Sequence, residues 1–551
     1  MNNLTVERGT IFPLTGVAIG SISINMMSLA LPIFLLQVYD RVIPNQSENT
    51  ALLLATGVLV AVILELVLRV ARILILGPIA SQYETRTSVK AARHLLTSDL
   101  AAFERVSPGR HLERLAAISR LRDHGSGQAL LSVYDIPFIF GFLALIWTLG
   151  GSLVIVPLAG LLLLSLAAIP ASRASRLALD DAAQTDDDRY DFLIATLSGL
   201  QAIKMVGAER ALQRRYEALQ ERRLTAQGTA YASSQKLSEI GQFVVQLSTI
   251  GTIGFGSTLV LDGRISIGAL SACTLIVGRF LALSHSLILS LSRQQASGVA
   301  KDQVRSLFAV PVTRVAMGSL DASSAEPHLS MRDVAFSFGT QGERRVLENA
   351  TLDLTVGRPV GLIGDNGSGK STLLTLLAGL YQPEAGEIRL GGRLLTDYSE
   401  DSLRRTITLV SQQETLFSGT ILDNITMFRP WLTEAALSTA DRTGLSDVVM
   451  GLPKGLATLV GEGATDTLPR GVMQRISLSR ALTQSPRVLL FDDANSAIDD
   501  RGDQRIAALF QDLRQSCAIL IVSHRPSILN LADQVVRLAH GRTIAVDEAA
   551  A

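Results

Sequence analysis

The chain has 551 residues, too many for a single domain. Hydrophobic residues make up 48% and charged ones 18%, and the mean hydropathy is +0.32, a membrane-type balance that excludes a disordered chain. The formal net charge is zero, which leaves no electrostatic footprint for nucleic acid. Cys273 and Cys517 fit no disulfide or metal spacing and read as buried, inert thiols.

From Gly9 to Tyr39 there is no charged residue, which exceeds the roughly 20 residues needed to cross a bilayer. The run is too long for a signal peptide, and more such runs follow it. Asp40 to Thr50 reads as a short polar loop. A second apolar run extends from Ala51 to Ala80, interrupted by Glu65, Arg69 and Arg72. Glu65 and Arg69 have the spacing to pair on one helix face, whereas Arg69 and Arg72 could instead snorkel to the headgroups. Ile136 to Ser172 is free of charge, too long for one crossing, and fits two broken near Gly150-Gly151. Ile240 to Leu261 is another crossing. Asp262-Gly263-Arg264 makes a tight turn, and Ile265 to Ser292 returns with Arg279 inside it. The count is six crossings.

Between the crossings lie two long polar stretches, Ser81–Gly127 and Arg173–Glu239, which predict helices projecting beyond the bilayer. They are rich in Lys and Arg, whereas the opposite loops carry only Arg41 and Arg264. The positive-inside rule therefore puts both stretches, and everything after Ser292, in the cytoplasm. The acidic run Asp180, Asp181, Asp186, Asp187, Asp188 and Asp191 matches no calcium loop and reads as a solvated helix face.

Residues 1–308 thus form a membrane domain, 309–328 a linker containing Pro311, Gly318 and Pro327, and 329–551 an alternation of strands and helices. In this last part Gly364-Asp365-Asn366-Gly367-Ser368-Gly369-Lys370-Ser371-Thr372 follows the strand-like Pro359–Ile363 and opens a helical run. That context makes it a phosphate-binding loop, with Lys370 reaching the β- and γ-phosphates of ATP and Ser371 holding Mg²⁺. Val488–Asp493 is a buried strand ending in two carboxylates. Asp492 is placed to hold Mg²⁺ through water and Asp493 to orient the attacking water. Ile519–His524 is a strand with His524 at its carboxyl end, where open α/β sheets bind ligands. His524 therefore reads as a γ-phosphate contact rather than a structural histidine. Gln412, after the strand Thr406–Val410, is a weaker candidate for Mg²⁺ and water.

With these motifs on one chain, the sequence resembles a half-size ABC exporter over essentially its whole length. The implied fold is an α-helical membrane domain of six transmembrane helices followed by an α/β P-loop NTPase domain. Gly364–Thr372 is the Walker A loop. Gln412 in Val410-Ser411-Gln412-Gln413-Glu414-Thr415-Leu416-Phe417-Ser418-Gly419-Thr420-Ile421 matches the Q-loop, and Asp492 ends Walker B. Ser496-Ala497-Ile498-Asp499 matches the D-loop, and His524 the switch histidine. The adenine-stacking aromatic falls on Phe338, which as a bare residue could equally be core. Leu35-Leu36-Gln37-Val38-Tyr39-Asp40-Arg41-Val42-Ile43-Pro44 and Gly268-Ala269-Leu270 through Gly278-Arg279 resemble the type I secretion ATPases that export proteases and repeat-rich toxins. No domain precedes the first crossing, so no leader peptidase is expected.

The resemblance implies ATP and Mg²⁺ as cofactors, a bacterial inner-membrane location, and a second half-transporter, identical or different. It also implies a periplasmic adaptor and an outer-membrane channel, but no nucleic acid. The catalytic set would be Asp493, His524 and Gln412, with Mg²⁺ at Ser371, Gln412 and Asp492. Nucleotide would be held by Phe338, Gly364, Asn366, Gly367, Ser368, Gly369, Lys370, Ser371, Thr372 and, across the dimer, Gly471.

Two departures stand out. The family's Leu-Ser-Gly-Gly-Gln signature falls on Leu468-Pro469-Arg470-Gly471-Val472, where Pro469 has neither hydroxyl nor N–H to offer a γ-phosphate. Asp493 stands where the family has a glutamate, which sets its carboxylate roughly 1.5 Å back. ATP–Mg²⁺ binding should survive these changes better than hydrolysis does. The expected function is ATP-driven export of proteins or peptides. The alternative is a nucleotide-binding, weakly hydrolysing regulatory half paired with a competent partner. A nucleotide-gated channel or sensor is a third reading.

Overall fold

The structure, a computed structural model, describes residues 8–125, 128–312, 318–338, 344–413, 415–461 and 468–546. The chain forms two compact units, Met1–Thr97 with Glu104–Pro311 and Ser98–Phe103 with Val312–Ala551.

The membrane unit is helical. Helix α1 (Arg8–Met27) is followed by α2 (Ala30–Gln37), a π-helical turn at Val38–Val42 and α3 (Ile43–Asn45). The stretch after Asp40 is therefore not a loop at its start: the helix continues to Asn45 and stops where Gln46 turns left-handed. Helix α4 (Glu48–Leu96) runs unbroken through the second apolar run and out of it. The chain then forms α5 (Leu100–Glu104), α6 (Pro108–Gly125) and α7 (Gln128–Gly150). A 3-10 turn (Gly151–Val154) leads to α8 (Ile155–Ser198). Helices α9 (Leu200–Val206), α10 (Glu209–Leu261) and α11 (Ile267–Phe308) follow.

Among the described residues, five continuous helical stretches are long and apolar enough to cross a membrane, and the third, Tyr134–Ala174, contains the turn after Gly150. Phe142 and Ile146 before that turn share one buried cluster with Leu164 after it, together with Ile276, Val277, Phe280 and Leu281 of α11. The stretch is thus a hairpin of two crossings, which brings the count to six. Gly151 takes φ +55° there, a conformation that costs glycine little. The polar stretches extend α4, α8 and α10 beyond the apolar runs; the first also holds the separate helices α5 and α6, and the second breaks at Gly199 and at the left-handed Gly207, with α9 between them.

Inside the membrane unit, Arg69 Nη2 lies 2.5 Å from Glu65 Oε1, and Arg72 donates to Ser21 Oγ of α1 at 3.2 Å. Arg69 thus pairs with the buried Glu65 one turn back on its own helix, and half-buried Arg72 bonds across to α1, as charges at membrane depth find polar partners. The acidic run follows the expected solvated face at the exposed Asp181 and Asp188 and departs from it at two other positions. Asp186 is buried, 2.6 Å from Arg223 Nε of α10, and Asp191 accepts from Ser107 Oγ at 2.7 Å. The sequence pattern missed this because Arg223 and Ser107, which draw these carboxylates inward, come from other helices. The side chains of Asp180 and Asp187 lie outside those described. No cluster of three or more potential metal ligands occurs among the described residues.

The second unit opens with β1 (Leu329–Phe338), β2 (Arg344–Leu354), β3 (Val360–Ile363) and α12 (Lys370–Leu377). It continues with β4 (Ala385–Leu390), β5 (Arg393–Leu394), α13 (Glu400–Thr406), β6 (Ile407–Val410), β7 (Gly419–Thr420) and α14 (Ile421–Thr426). A helical region follows: α15 (Thr433–Arg442), α16 (Leu445–Val449), β8 (Leu459–Val460) and α17 (Arg470–Leu482). The unit closes with β9 (Val488–Asp492), α18 (Asp500–Leu513), β10 (Ala518–Val522), α19 (Pro526–Leu529), β11 (Gln534–Ala539) and β12 (Arg542–Val546).

The main sheet has the order β12-β11-β3-β10-β9-β6, parallel except for β12. Strand β10 is apolar throughout, and β9 up to its terminal Asp492, because helices cover both faces of such a sheet. A second, antiparallel sheet has the order β2-β1-β4-β5. Cys517 is buried beside β10, and burial pushes its thiol up to about 12, so it stays protonated at neutral pH.

Candidate nucleotide site

Four parallel strands, β6, β9, β10 and β3, deliver the candidate residues at their carboxyl ends, where ligands bind in open α/β sheets. The loop after β3 turns sharply enough to present its amides. Gly369 is the N-cap of α12 at φ +103°, and a Cβ there would stand 2.8 Å from Val346 Cγ1. Only glycine fits that position. Lys370 Nζ donates to the carbonyls of Gly364 at 2.7 Å and Asp365 at 3.0 Å. Ser368 Oγ is buried and has no hydrogen-bond partner among the described residues, an orphan inside the loop. Gly367 takes φ +80°, and Asn366 is exposed at the rim. Thr372 is half-buried on the first turn of α12.

Across from the loop, Ser371 Oγ donates to Asp492 Oδ2 at 2.9 Å. The two oxygens expected to hold Mg²⁺ are thus already adjacent. Burial, reinforced by the neighbouring Asp493 and opposed by the bond from Ser371, raises the Asp492 carboxyl above the usual range. A metal must compete with a proton for that carboxylate. Mg²⁺-dependent ATP binding is therefore expected to weaken on acidification at a higher pH than an ordinary aspartate would dictate. Titrating ATP affinity against pH with and without Mg²⁺ checks this, and Asp492→Asn should remove the Mg²⁺-dependent part.

Asp493 occupies the next position at φ +45°, a strained left-handed conformation for a non-glycine residue, with its N–H bonded to Val522 O at 2.8 Å. Its carboxylate accepts from Gln412 Nε2 at 3.3 Å and from the backbone N–H of His524 at 3.4 Å. One carboxylate therefore joins the ends of β6, β9 and β10. Gln412 is bonded to Asp493, while Ser371 bonds Asp492. The His524 ring is exposed.

Phe338 lies on the second sheet and is 43% exposed, edge-on to Phe336 and to Tyr381 with centroids 5.1 and 5.9 Å away. It pairs with Arg344 on β2, the strand whose Val346 touches Gly369. Phe338 is thus held by aromatic neighbours beside the loop and keeps a free surface.

Gly471 is not brought to this loop within the chain. Helix α17 starts at Arg470 with Pro469 as N-cap, and its contacts run to the D-loop instead. Gln474 bridges Ser496 Oγ at 3.0 Å and the Ala497 N–H at 2.9 Å, and Arg475 Nη2 reaches Asp499 Oδ1 at 2.5 Å. A Cβ on Gly471 would stand 2.6 Å from Ala497 O, so this glycine is needed for the close approach. Beyond the D-loop, Asn495 is fully buried and donates to Asp503 Oδ1 at 2.7 Å, while Arg525 donates to Ser496 O at 2.9 Å. Sequence reading missed Gln474, Asn495, Asp503 and Arg525. Their partners are remote or on other elements, and no short motif announces them.

A phosphate loop on a parallel sheet, with carboxylates, a glutamine and a histidine gathered at the neighbouring strand ends, defines a P-loop ATPase domain, here on the same chain as a six-crossing membrane unit. The family model of the ABC transporter transmembrane region matches residues 14–283 and that of the ABC transporter matches residues 347–496. The chain belongs to the ABC transporters and is an ATP-driven membrane exporter.

The leukotoxin translocation ATP-binding protein LktB of Mannheimia haemolytica is 29% identical over 533 residues, covering 95% of this chain and 74% of that protein. The alpha-hemolysin translocation ATP-binding protein HlyB of Escherichia coli is 28% identical over 529 residues, with the same coverage. The solved structure of a bacterial Atm1-family ABC exporter with ATP bound superposes with a TM-score of 0.82 at 20% identity, covering 98% of this chain and 95% of that one.

Proposed function

We propose that this chain is one half of a bacterial inner-membrane exporter of proteins or peptides, with its cassette in the cytoplasm. The observation that carries the reading is the Ser371–Asp492 bond beside the phosphate loop, which leaves the nucleotide-binding half of the site intact. ABC exporters work as dimers, and the names of LktB and HlyB speak of toxin translocation. The same relatives support a periplasmic adaptor and an outer-membrane channel as partners.

In this reading the amides of Gly364, Asn366, Gly367, Ser368, Gly369 and Thr372 cradle the phosphates, and the orphan Ser368 hydroxyl donates to one of them. Lys370 turns from its carbonyls to the β- and γ-phosphates. Phe338 stacks on adenine. Ser371, Asp492 and Gln412 would hold Mg²⁺, which neutralises phosphate charge when bound. Asp493 orients the attacking water and His524 meets the γ-phosphate. Gly471 of the second half closes the site from above the phosphates. Pro469 cannot donate there, but the N-terminus of α17 keeps its dipole.

The test is reconstitution of the purified chain in vesicles with ATP on the cassette side. Accumulation of a labelled unfolded polypeptide, lost in Lys370→Ala, is expected. Movement of a fluorescent lipid without any polypeptide would overturn the reading.

A second reading, a weakly hydrolysing regulatory half, is favoured by Asp493 and Pro469 together. In a homodimer both sites would carry both departures. In a heterodimer each site inherits one. Robust ATPase activity of the purified chain alone would sink this second reading.

A further inference from the structure

The two membrane stretches singled out in the sequence, Leu35–Pro44 and Gly268–Arg279, meet in the structure. Asp40 Oδ1 accepts from the Gly268 N–H at 3.0 Å and Oδ2 from Ser266 Oγ at 2.5 Å. Ser266 is itself the N-cap of α11, accepting from the Ala269 N–H at 3.0 Å. A carboxylate from the end of the first crossing thus caps the first turn of the last, where the helix dipole favours negative charge. The backbones are in contact: a Cβ on Gly268 would stand 2.6 Å from Asp40 Cγ and 2.7 Å from Leu36 O.

Asp40 reaches α11 from the middle of the Val38–Val42 turn, the only π-helical segment among the described residues. A π turn is an α-helix carrying one extra residue, a register fault that a local shift removes. On the proposed outside placement the junction faces water. Asp40 is exposed, and Tyr39 and Ile43 beside it are 42% and 57% exposed. Water can therefore take over the carboxylate's bonds, which a permanently packed staple would not allow.

We infer that Asp40 is a positioning residue for transport. Its carboxylate latches the outer end of the first crossing to the start of the last, and outward opening breaks this latch as the π turn reverts to α-helix. The inference rests on the proposed outside placement of these ends.

The test uses the full chain in nanodiscs of phosphatidylethanolamine and phosphatidylglycerol. Spin labels are placed at Ile43→Cys and Arg264→Cys, and labelled chains are diluted with unlabelled ones. Without nucleotide the unaltered latch should give one short distance. A non-hydrolysable ATP analogue with Mg²⁺ should shift the population to a longer one. Asp40→Ala removes the carboxylate, whereas Gly268→Ala keeps it and forces the backbones apart. Both should raise the long-distance population without nucleotide on the order of tenfold, with Asp40→Asn intermediate. ATP affinity at the cassette, unchanged in each variant, reports folding. Identical distances with and without the analogue would show a static staple and overturn the inference. Two variants indistinguishable from the parent would do the same. Failure of a membrane-impermeant thiol reagent to label the Ile43→Cys variant in intact cells would overturn the outside placement separately.

Discussion

Asp493→Glu is expected to raise the steady-state ATPase turnover of the purified chain on the order of 10²-fold, with KM for ATP changed by less than about threefold. The backbone at Asp493 is held by the bond to Val522 O at 2.8 Å and by a left-handed φ of +45°, so the carboxylate cannot move forward as a body. Its oxygens are occupied by Gln412 and by the His524 amide at 3.3 and 3.4 Å, both long for hydrogen bonds and cheaply given up. One more methylene carries the carboxylate past both donors toward the water that attacks the γ-phosphate. A displacement of about 1 Å at such a group is worth about a hundredfold in rate. In the proposed reading ATP binding relies on the loop and on Asp492, which the change leaves alone, and that is why the effect should fall on kcat. A turnover no higher than the parent's would show that Asp493 is not the limiting departure, and attention would pass to Pro469.

Lys370→Ala is expected to weaken ATP binding on the order of 10²- to 10³-fold without unfolding the cassette. In the free loop the Lys370 ammonium rests on two backbone carbonyls, of Gly364 and Asp365, and it makes no ion pair among the described residues. Two charge-assisted bonds to phosphate at about 1.5–3 kcal/mol each, partly offset by the carbonyl bonds given up, account for that loss. Removing the side chain leaves two carbonyls at the loop's edge, where water can reach them, so the cost to stability is small. Calorimetric titration with ATP checks the affinity, and a thermal melt without nucleotide checks the fold. Binding equal to the parent's would rule the loop out as the site.

These two effects separate the halves of the reaction. In the proposed reading the loop, Ser371 and Asp492 form a binding apparatus whose parts lie close in sequence or are joined by the Ser371–Asp492 bond. The hydrolytic part is spread over β6, β9 and β10 and is wired onward through Asn495, Asp503 and Gln474 to the helix that carries Gly471. The departures from the family pattern, Pro469 and Asp493, both fall in this second part. A chain that binds nucleotide well and turns it over slowly is the outcome such a distribution favours.

Local order alone determined much of this protein. Predominantly apolar runs as long as a bilayer requires specify the crossings, because backbone polar groups in lipid must be satisfied within a helix. The phosphate loop is legible because its glycines, Lys370 and Ser371 are contiguous and their chemistry depends on spacing a few residues apart. The turn at Gly150-Gly151 and the strand before Asp492 were readable for the same reason.

Pairings across the chain were decided only by tertiary structure. Asp186 looked solvated because Arg223 comes from another helix. The bond that Arg72 makes depended on α1 supplying Ser21. Asp40 looked like the start of a loop because its partner, Gly268, lies 228 residues away. Hydrophobic periodicity reports burial along one element. A hydrogen bond between two elements leaves no period in either, so these contacts emerge only once the helices and strands are packed.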